Sequence, residues 1–463
     1  MKASAVWWWL LAVSLCVAGS AAGQRDQSGP FIERFDVREW RLTATVTILS
    51  GRQMSSSLFH LNNQPMSWIS AGRSTLEFPV EEGTLYWPLA GEAASYEVDR
   101  GSARAKLHSN GWEIPLSRTI WDADASQQPL HSGAAYGIWS FGPYPAVHRD
   151  LRMEFSFRAN TWNTRFNEAL ALEVPWPSGE WPAEAMSSFD EMLFIDRDFF
   201  GPYTSGVARE LAEKYTAGQP RSQPPVVAAK WIAGQLATEV QASGLSVFRS
   251  GIFPIKDLSR IRADHMQSLR FDGLDRVARD LTGSPLDFAL LLTAIYREIG
   301  LPARVVIGYV AGPNGGREEL FRDPQKPEFG IYPWVEFALY DERESAIGGS
   351  LTWIPVDIIS MQQNNTGRRP FDQPWDGFGS SEFLGEVIPL AYHLHPHMLP
   401  AYSFGQSPDP LTLADGRVIY EPLPALWGWN LVPAMPCGAG QAVTFTATTP
   451  SRRSNDANTA TDR

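Results

Sequence analysis

The chain has 463 residues, 44% hydrophobic and 12% aromatic, with 51 acidic against 39 basic side chains and a formal net charge of −12. That length accommodates about three domains of ~150 residues, and the composition is too apolar for a disordered chain. No cluster of Lys and Arg is present, which argues against a nucleic-acid partner, and the acidic balance favours solubility.

Residues 1–23, MKASAVWWWLLAVSLCVAGSAAG, place a lone Lys2 before an apolar run from Val6 to Ala18, followed by small residues. This is the order of a secretory signal peptide, with cleavage expected near Ala22 or Gly23. The run is short of the ~20 residues that a membrane anchor needs. No later stretch is apolar for long enough to cross a bilayer. The mature protein is therefore expected to be exported, periplasmic or extracellular, with no membrane span. The two cysteines are Cys16, in the leader, and Cys437. Once the leader is removed, Cys437 has no intramolecular partner. In AMPCGAG it reads as a small buried side chain, with a reactive or interchain thiol as the alternative.

From Phe31 to about Pro175 the pattern is strand-like. WRLTATVTIL, residues 40–49, sets Leu42, Ala44, Val46 and Ile48 on one face and Thr43, Thr45 and Thr47 on the other, the alternation of a half-buried strand. STLEFPV, TLYWPL, SYEVDR, LRMEFSFRA and ALALEVPWP are further strand candidates between turn residues, and together they predict one or more β-sandwich-like modules over 30–175. WPSGEWPAEAMSS, 176–188, reads as a linker. SGVARELAEKYTAG predicts a helix with Val207, Leu211 and Tyr215 on one face, a Glu210–Lys214 pair, and Gly218 as its stop. PPVVAAKWIAGQLATEV predicts a second helix with Ala228, Trp231, Ile232 and Leu236 on its apolar stripe, and LDRVARDLTG a third. SPLDFALLLTAIYREIG predicts the longest, with Phe288, Leu291, Leu292, Ile295 and Ile299 inward. After Pro302, ARVVIGYV, IYPWVEFALY and LTWIPVDII read as strands. Helices followed by strands define an α+β domain over 190–365. Short strands return over 380–448, and the polar 449–463 is expected to be disordered.

Taken together, DFALLLTAIYREIGLPARVVIGY, YPWVEF and WIPVD resemble the core of the transglutaminase-like superfamily. The resemblance implies a papain-like fold. It also implies a Cys at a helix N-terminus, a His just before a Trp-containing strand segment, and an Asp at a strand end, acting as nucleophile, base and orienting group. Residue by residue, the Cys position falls on Pro285, the His position on Tyr332 and the Asp position on Asp357. Asp287, Phe288, Arg304, Gly308, Tyr309, Trp334 and Glu336 match the family's framework. A proline has no nucleophilic atom, and a phenol with an ordinary pKa of ~10 is a poor base at neutral pH.

Ser284-Pro285-Leu286-Asp287 instead makes a competent helix start. Ser284 would be the N-cap, Pro285 would occupy the first turn and Asp287 would close a capping box. These substitutions point to an exported, non-catalytic relative, without cofactor, that binds a peptide, protein or cell-envelope polymer or serves as a scaffold. Asp287, Tyr332, Trp334 and Asp357 are the candidates to line a retained cleft. The alternative is an acyltransferase or peptidase with another nucleophile, for which Ser284 and Cys437 are the candidates. His393, His395 and His397 alternate in HLHPHM and form a weak candidate for a metal site; Pro396 interrupts them, and solvent-facing histidines on a strand edge are the plainer reading. The expected fold is α+β: a papain-like, transglutaminase-like core flanked by the N-terminal β-sandwich-like module or modules and a C-terminal β-rich segment.

Overall fold

A computed structural model of the chain describes residues 31–49, 82–109, 111–122, 135–143, 151–190, 206–242, 273–311, 331–343 and 349–392, together with short strand pieces elsewhere, chiefly 428–432 and 440–449. The leader, Cys437, His393, His395, His397 and the tail beyond 449 lie outside the described residues.

The strands and helices used below are β1 (Ile32–Leu49), β2 (Glu82–Leu89), β3 (Tyr96–Ser109), β4 (Ser117–Asp122), β5 (Ala135–Phe141), β6 (Leu151–Phe166), α1 (Glu168–Ala171), α2 (Ala183–Met186), α3 (Gly206–Thr216), α4 (Pro225–Glu239), α5 (Leu274–Asp280), α6 (Pro285–Glu298), β7 (Ala303–Val310), β8 (Ile331–Asp341), β9 (Ser350–Val356), α7 (Ile358–Gln363), β10 (Val387–Tyr392), β11 (Gly428–Val432) and β12 (Gly440–Thr448). No described helix is long and apolar enough to cross a membrane.

The expected alternation along β1 is realised: Leu42, Ala44 and Val46 are buried and Thr43 and Thr45 half-buried. β1 pairs antiparallel with β6, β6 with β3, and β12 with the outer side of β1, forming the large sheet. A second sheet runs β4-β5-β2-β11. Aromatic side chains join the two sheets. Trp87 of β2 stacks on Phe155 of β6 at 4.7 Å, and Trp139 of β5 reaches the same ring at 5.7 Å.

The central domain packs helices against a four-stranded antiparallel sheet in the order β9-β8-β7-β10. Its spine is α6, in which every residue from Leu286 to Tyr296 is buried. Phe288, Leu291, Leu292 and Ile295 face inward as the spacing predicts, but α6 is enclosed on all sides. Tyr296 meets Phe337 of β8 edge-on at 5.8 Å, and its hydroxyl donates to the Ala229 carbonyl of α4 at 2.8 Å. The architecture is α+β with a papain-like, transglutaminase-like core and β-rich regions.

Several local expectations are corrected by tertiary partners. ALALEVPWP forms no strand, because the Asn167 side chain caps a helical turn by accepting from Leu170 N, and Ala171 and Val174 are buried. The stretch 176–188 is ordered by its tryptophans, which donate to the carbonyls of Gln223 and Gly300, and it contains α2. Lys214 pairs with Glu239 of α4 at 2.7 Å and not with Glu210. Trp231 leaves the apolar stripe of α4: it is 46% exposed, donates to the Tyr215 carbonyl and leans on Phe371. The strands after residue 380 join existing sheets: β10 completes the core sheet, β11 the second sheet and β12 the large one.

Candidate functional site

The start of α6 is closed on itself. Ser284 has extended backbone, and its Oγ accepts the Asp287 N–H at 3.2 Å while Asp287 Oδ2 accepts the Ser284 N–H at 2.8 Å, the expected capping box. Each oxygen satisfies a helix-end donor that would otherwise be unpaired. A Cβ on Gly283 would fall 2.9 Å from the Asp287 Cβ, so the close approach requires glycine there. Ser284 is fully buried, with 0% exposure, and Pro285 at the first helical position is half-buried. A buried hydroxyl engaged as a cap is a poor nucleophile.

Tyr332 of β8 meets Asp357, the residue that directly follows β9 and caps α7. The phenol donates to the carboxylate with Oη–Oδ2 at 2.8 Å and Oη–Oδ1 at 3.0 Å, and Oδ1 also accepts the Ser360 N–H at 2.9 Å. The Phe383 ring lies edge-on to the Tyr332 ring at 4.8 Å. Asp357 is 1% exposed, and burial pushes its carboxyl up to about 6 despite the Ser360 and Tyr332 hydrogen bonds, with Asp376 adding to the rise. One carboxylate therefore joins a strand, a helix start and an aromatic hydroxyl. The hydrogen-bonding partner that the resemblance assigns to a histidine is a phenol, oriented as a donor.

The framework residues form a second buried cluster. Arg304 and Glu336 stand directly opposite in the β7–β8 register, and Arg304 Nε and Nη2 each lie 2.8 Å from Glu336 Oε2. Trp353 and Tyr392 flank the guanidinium at 4.0 and 4.2 Å. Tyr96 of the large sheet donates to the same carboxylate at 3.3 Å, and Trp334 donates to its other oxygen at 3.4 Å. Burial raises the Glu336 carboxyl and the Arg304 guanidinium opposes that rise. For Arg304, burial works downward, but Glu336, with Tyr96 and Tyr392, more than offsets it, so the group stays charged. Gly308 faces Tyr332 across the ladder; a Cβ there would lie 2.5 Å from Val387 Cγ1 and 2.9 Å from Trp334 Cζ3. The glycine lets β10 and Trp334 close over β7.

Of the four cleft candidates, Asp287, Tyr332, Trp334 and Asp357 are all buried. Tyr332 and Asp357 are brought into contact, while Trp334 joins the Arg304 cluster. Among the described residues no group of three His, Cys, Asp or Glu side chains is disposed to hold a metal. Two contributors have no strong signal in the sequence. Phe383 comes from the segment after α7, and Tyr96 from a sheet more than two hundred residues earlier in the chain. Lys230 was also missed: it is buried within α4 and donates to Glu168 at 2.6 Å and to the carbonyls of Phe371 and Gln373 at 2.8 Å each. It anchors the segment that continues to Phe383. An Ala-Ala-Lys-Trp stretch in an apolar helix carries a hint of it, since a lone lysine there must find acceptors or leave the core.

This combination of helix, antiparallel sheet and Asp-capped strand end is that of a transglutaminase-like core. Residues 259–358 match the model of the transglutaminase-like superfamily. Among solved structures, the chain is similar to a protein from Cytophaga hutchinsonii proposed to be a cysteine protease, at 10% identity over 90% of this chain and 92% of that one, with a TM-score of 0.43. It is also similar to a protein from Parabacteroides distasonis proposed to be a protease, at 10% identity over 70% and 67%, with a TM-score of 0.20. No curated protein matches the chain.

Proposed function

We propose that this chain is an exported, non-catalytic member of the transglutaminase-like superfamily that acts as a scaffold in the cell envelope, with its former reaction centre serving as a structural joint. The observation that supports this reading is the Tyr332–Asp357 pair, both of whose members are buried, with Phe383 packed edge-on against the tyrosine ring. A triad base must exchange protons with both nucleophile and substrate. The phenol here points its proton at a carboxylate, and Pro285 offers no thiol to activate. Between the two uses weighed from sequence, binding in a cleft and scaffolding, burial of all four cleft candidates favours scaffolding.

The test is a thiol-dependent transamidation assay and a peptide-hydrolysis assay on the purified full chain. No turnover above the uncatalysed rate is expected. Turnover that disappears in Ser284→Ala or Cys437→Ala would replace this reading with that of an enzyme using the residue so identified.

A further inference from the structure

Strand edges carry free backbone N–H and C=O groups that invite another strand unless charge, proline or shortness guards them. Most edges here are guarded. β4 carries Arg118 and Asp122, while β9 and β10 contain Pro355 and Pro389. β11 is five residues long, and the edge pieces Asp26–Gln27, Glu92–Ala93 and Trp112–Ile114 have two or three each.

β12 has none of these guards. Its nine residues, GQAVTFTAT, contain no charge and no proline, and among the described strands it pairs with β1 alone. The strand is also held firmly from inside. Phe445 stacks on Tyr309 of the core at 4.8 Å and lies 6.4 Å from Trp87, and Ala447 is buried, whereas Thr446 and Thr448 are exposed.

We propose that β12 is a pairing edge for the β12 of a second copy, antiparallel across a two-fold axis, so that two large sheets become one. Symmetry favours this occupant. In antiparallel self-pairing each residue faces one equally distant beyond the axis, and a charge-free strand meets no like charge there. Centred on Thr444, Val443 of one copy stands opposite Phe445 of the other, and Ala442 opposite Thr446. The ladder spans about 30 Å at ~3.4 Å per residue. An edge contact buries little area, so association is weak and reversible, on the order of micromolar. Each copy carries a net charge of −12, which opposes approach, so added salt strengthens the dimer by screening.

Sedimentation velocity of the full chain from about 1 to 100 µM, at low and high salt, tests the proposal at the concentrations of a weak interface. A reversible dimer that tightens with salt is expected. The variant T446K/T448K should dimerise at least ~10-fold more weakly, since lysines guard natural edges, while T446S/T448S should match the native chain. A synthetic peptide of residues 440–448 should compete for the edge and dissociate the native dimer, which tests the contact without altering the fold. A monomer at every concentration, a lysine variant that dimerises like the native chain, or a peptide without effect would each overturn it.

Discussion

Replacing Asp357 with asparagine tests the energetics of the joint directly. The carboxyl has been moved from water to a site with 1% exposure, and burial raises it to about 6 in the folded chain, against ~3.9 for an unfolded aspartate. The folded state therefore binds this proton more tightly than the unfolded state. Its contribution to stability is fully present below ~3.9, falls as pH rises, and is lost above about 6, where the charged form must stay buried. At about 1.4 kcal/mol per pH unit the two values correspond to about 3 kcal/mol. Asparagine carries no such charge but keeps an acceptor for the Ser360 N–H and remains a good N-cap. The native chain should gain about 2 kcal/mol relative to Asp357→Asn between pH 7 and pH 4, where the unfolded aspartate is still about half ionised. Urea titrations of both proteins, followed by tryptophan fluorescence at half-unit pH steps, measure this difference. Other titrating groups are common to both chains and cancel. A difference that stays constant with pH, or that moves against the native chain on acidification, would refute the argument and mean that the Tyr332 and Ser360 hydrogen bonds outweigh burial.

Glu336→Gln should lower stability by about 3–5 kcal/mol, because it leaves the Arg304 charge buried without its counter-ion; chemical denaturation reads it, and Arg304→Met with Glu336→Leu should recover much of the loss. Gly308→Ala should cost about 1–3 kcal/mol, as its Cβ would press on Val387 and Trp334, seen as a lowered thermal midpoint. Pro285→Cys together with Tyr332→His should still yield no thiol-dependent transamidation or hydrolysis, because Tyr332 and Asp357 are buried and a thiol–imidazole pair needs an open approach; turnover in the double variant would contradict the scaffold reading.

The central fold was legible because its signals are local. The capping box lies within four consecutive residues, and the change of period after Pro302 marks where helix gives way to strand. Asp357 was legible as a strand end, yet its second role as the cap of α7 was hidden because DII continues the β-branched pattern of LTWIPV. Long-range partners were not legible. Nothing in SYEVDR announces that Tyr96 will donate to Glu336, and nothing in ALALEVPWP outweighs its strand-like composition until Asn167 caps the turn. Lys214 had an acceptable local partner in Glu210 and took Glu239 instead, because α4 brings that carboxylate next to both Lys214 and the Tyr215 hydroxyl.

The two buried clusters separate what a catalytic core needs for chemistry from what it needs for shape. Arg304, Glu336, Trp334 and Gly308 are framework residues, and their task is to hold β7 against β8 and, through Tyr96 and Tyr392, to clasp the large sheet to the core sheet. That task depends on the residues staying buried and paired. The resemblance assigns the chemistry to the positions of Pro285, Tyr332 and Asp357, and a working thiol–imidazole pair there would require an open approach and a charge that comes and goes. On the proposed reading, neutral groups fill the first two of those positions, and all three serve shape as well. The capping box fixes the start of α6, the Tyr332–Asp357 bond ties β8 to the start of α7, and Phe383 packs edge-on against the Tyr332 ring. Asp357 alone retains a charge that burial penalises, and its place directly after β9 explains why it is kept. It supplies the N-cap of α7 and the acceptor for Tyr332 at once, and no neutral residue offers two carboxylate oxygens to do both.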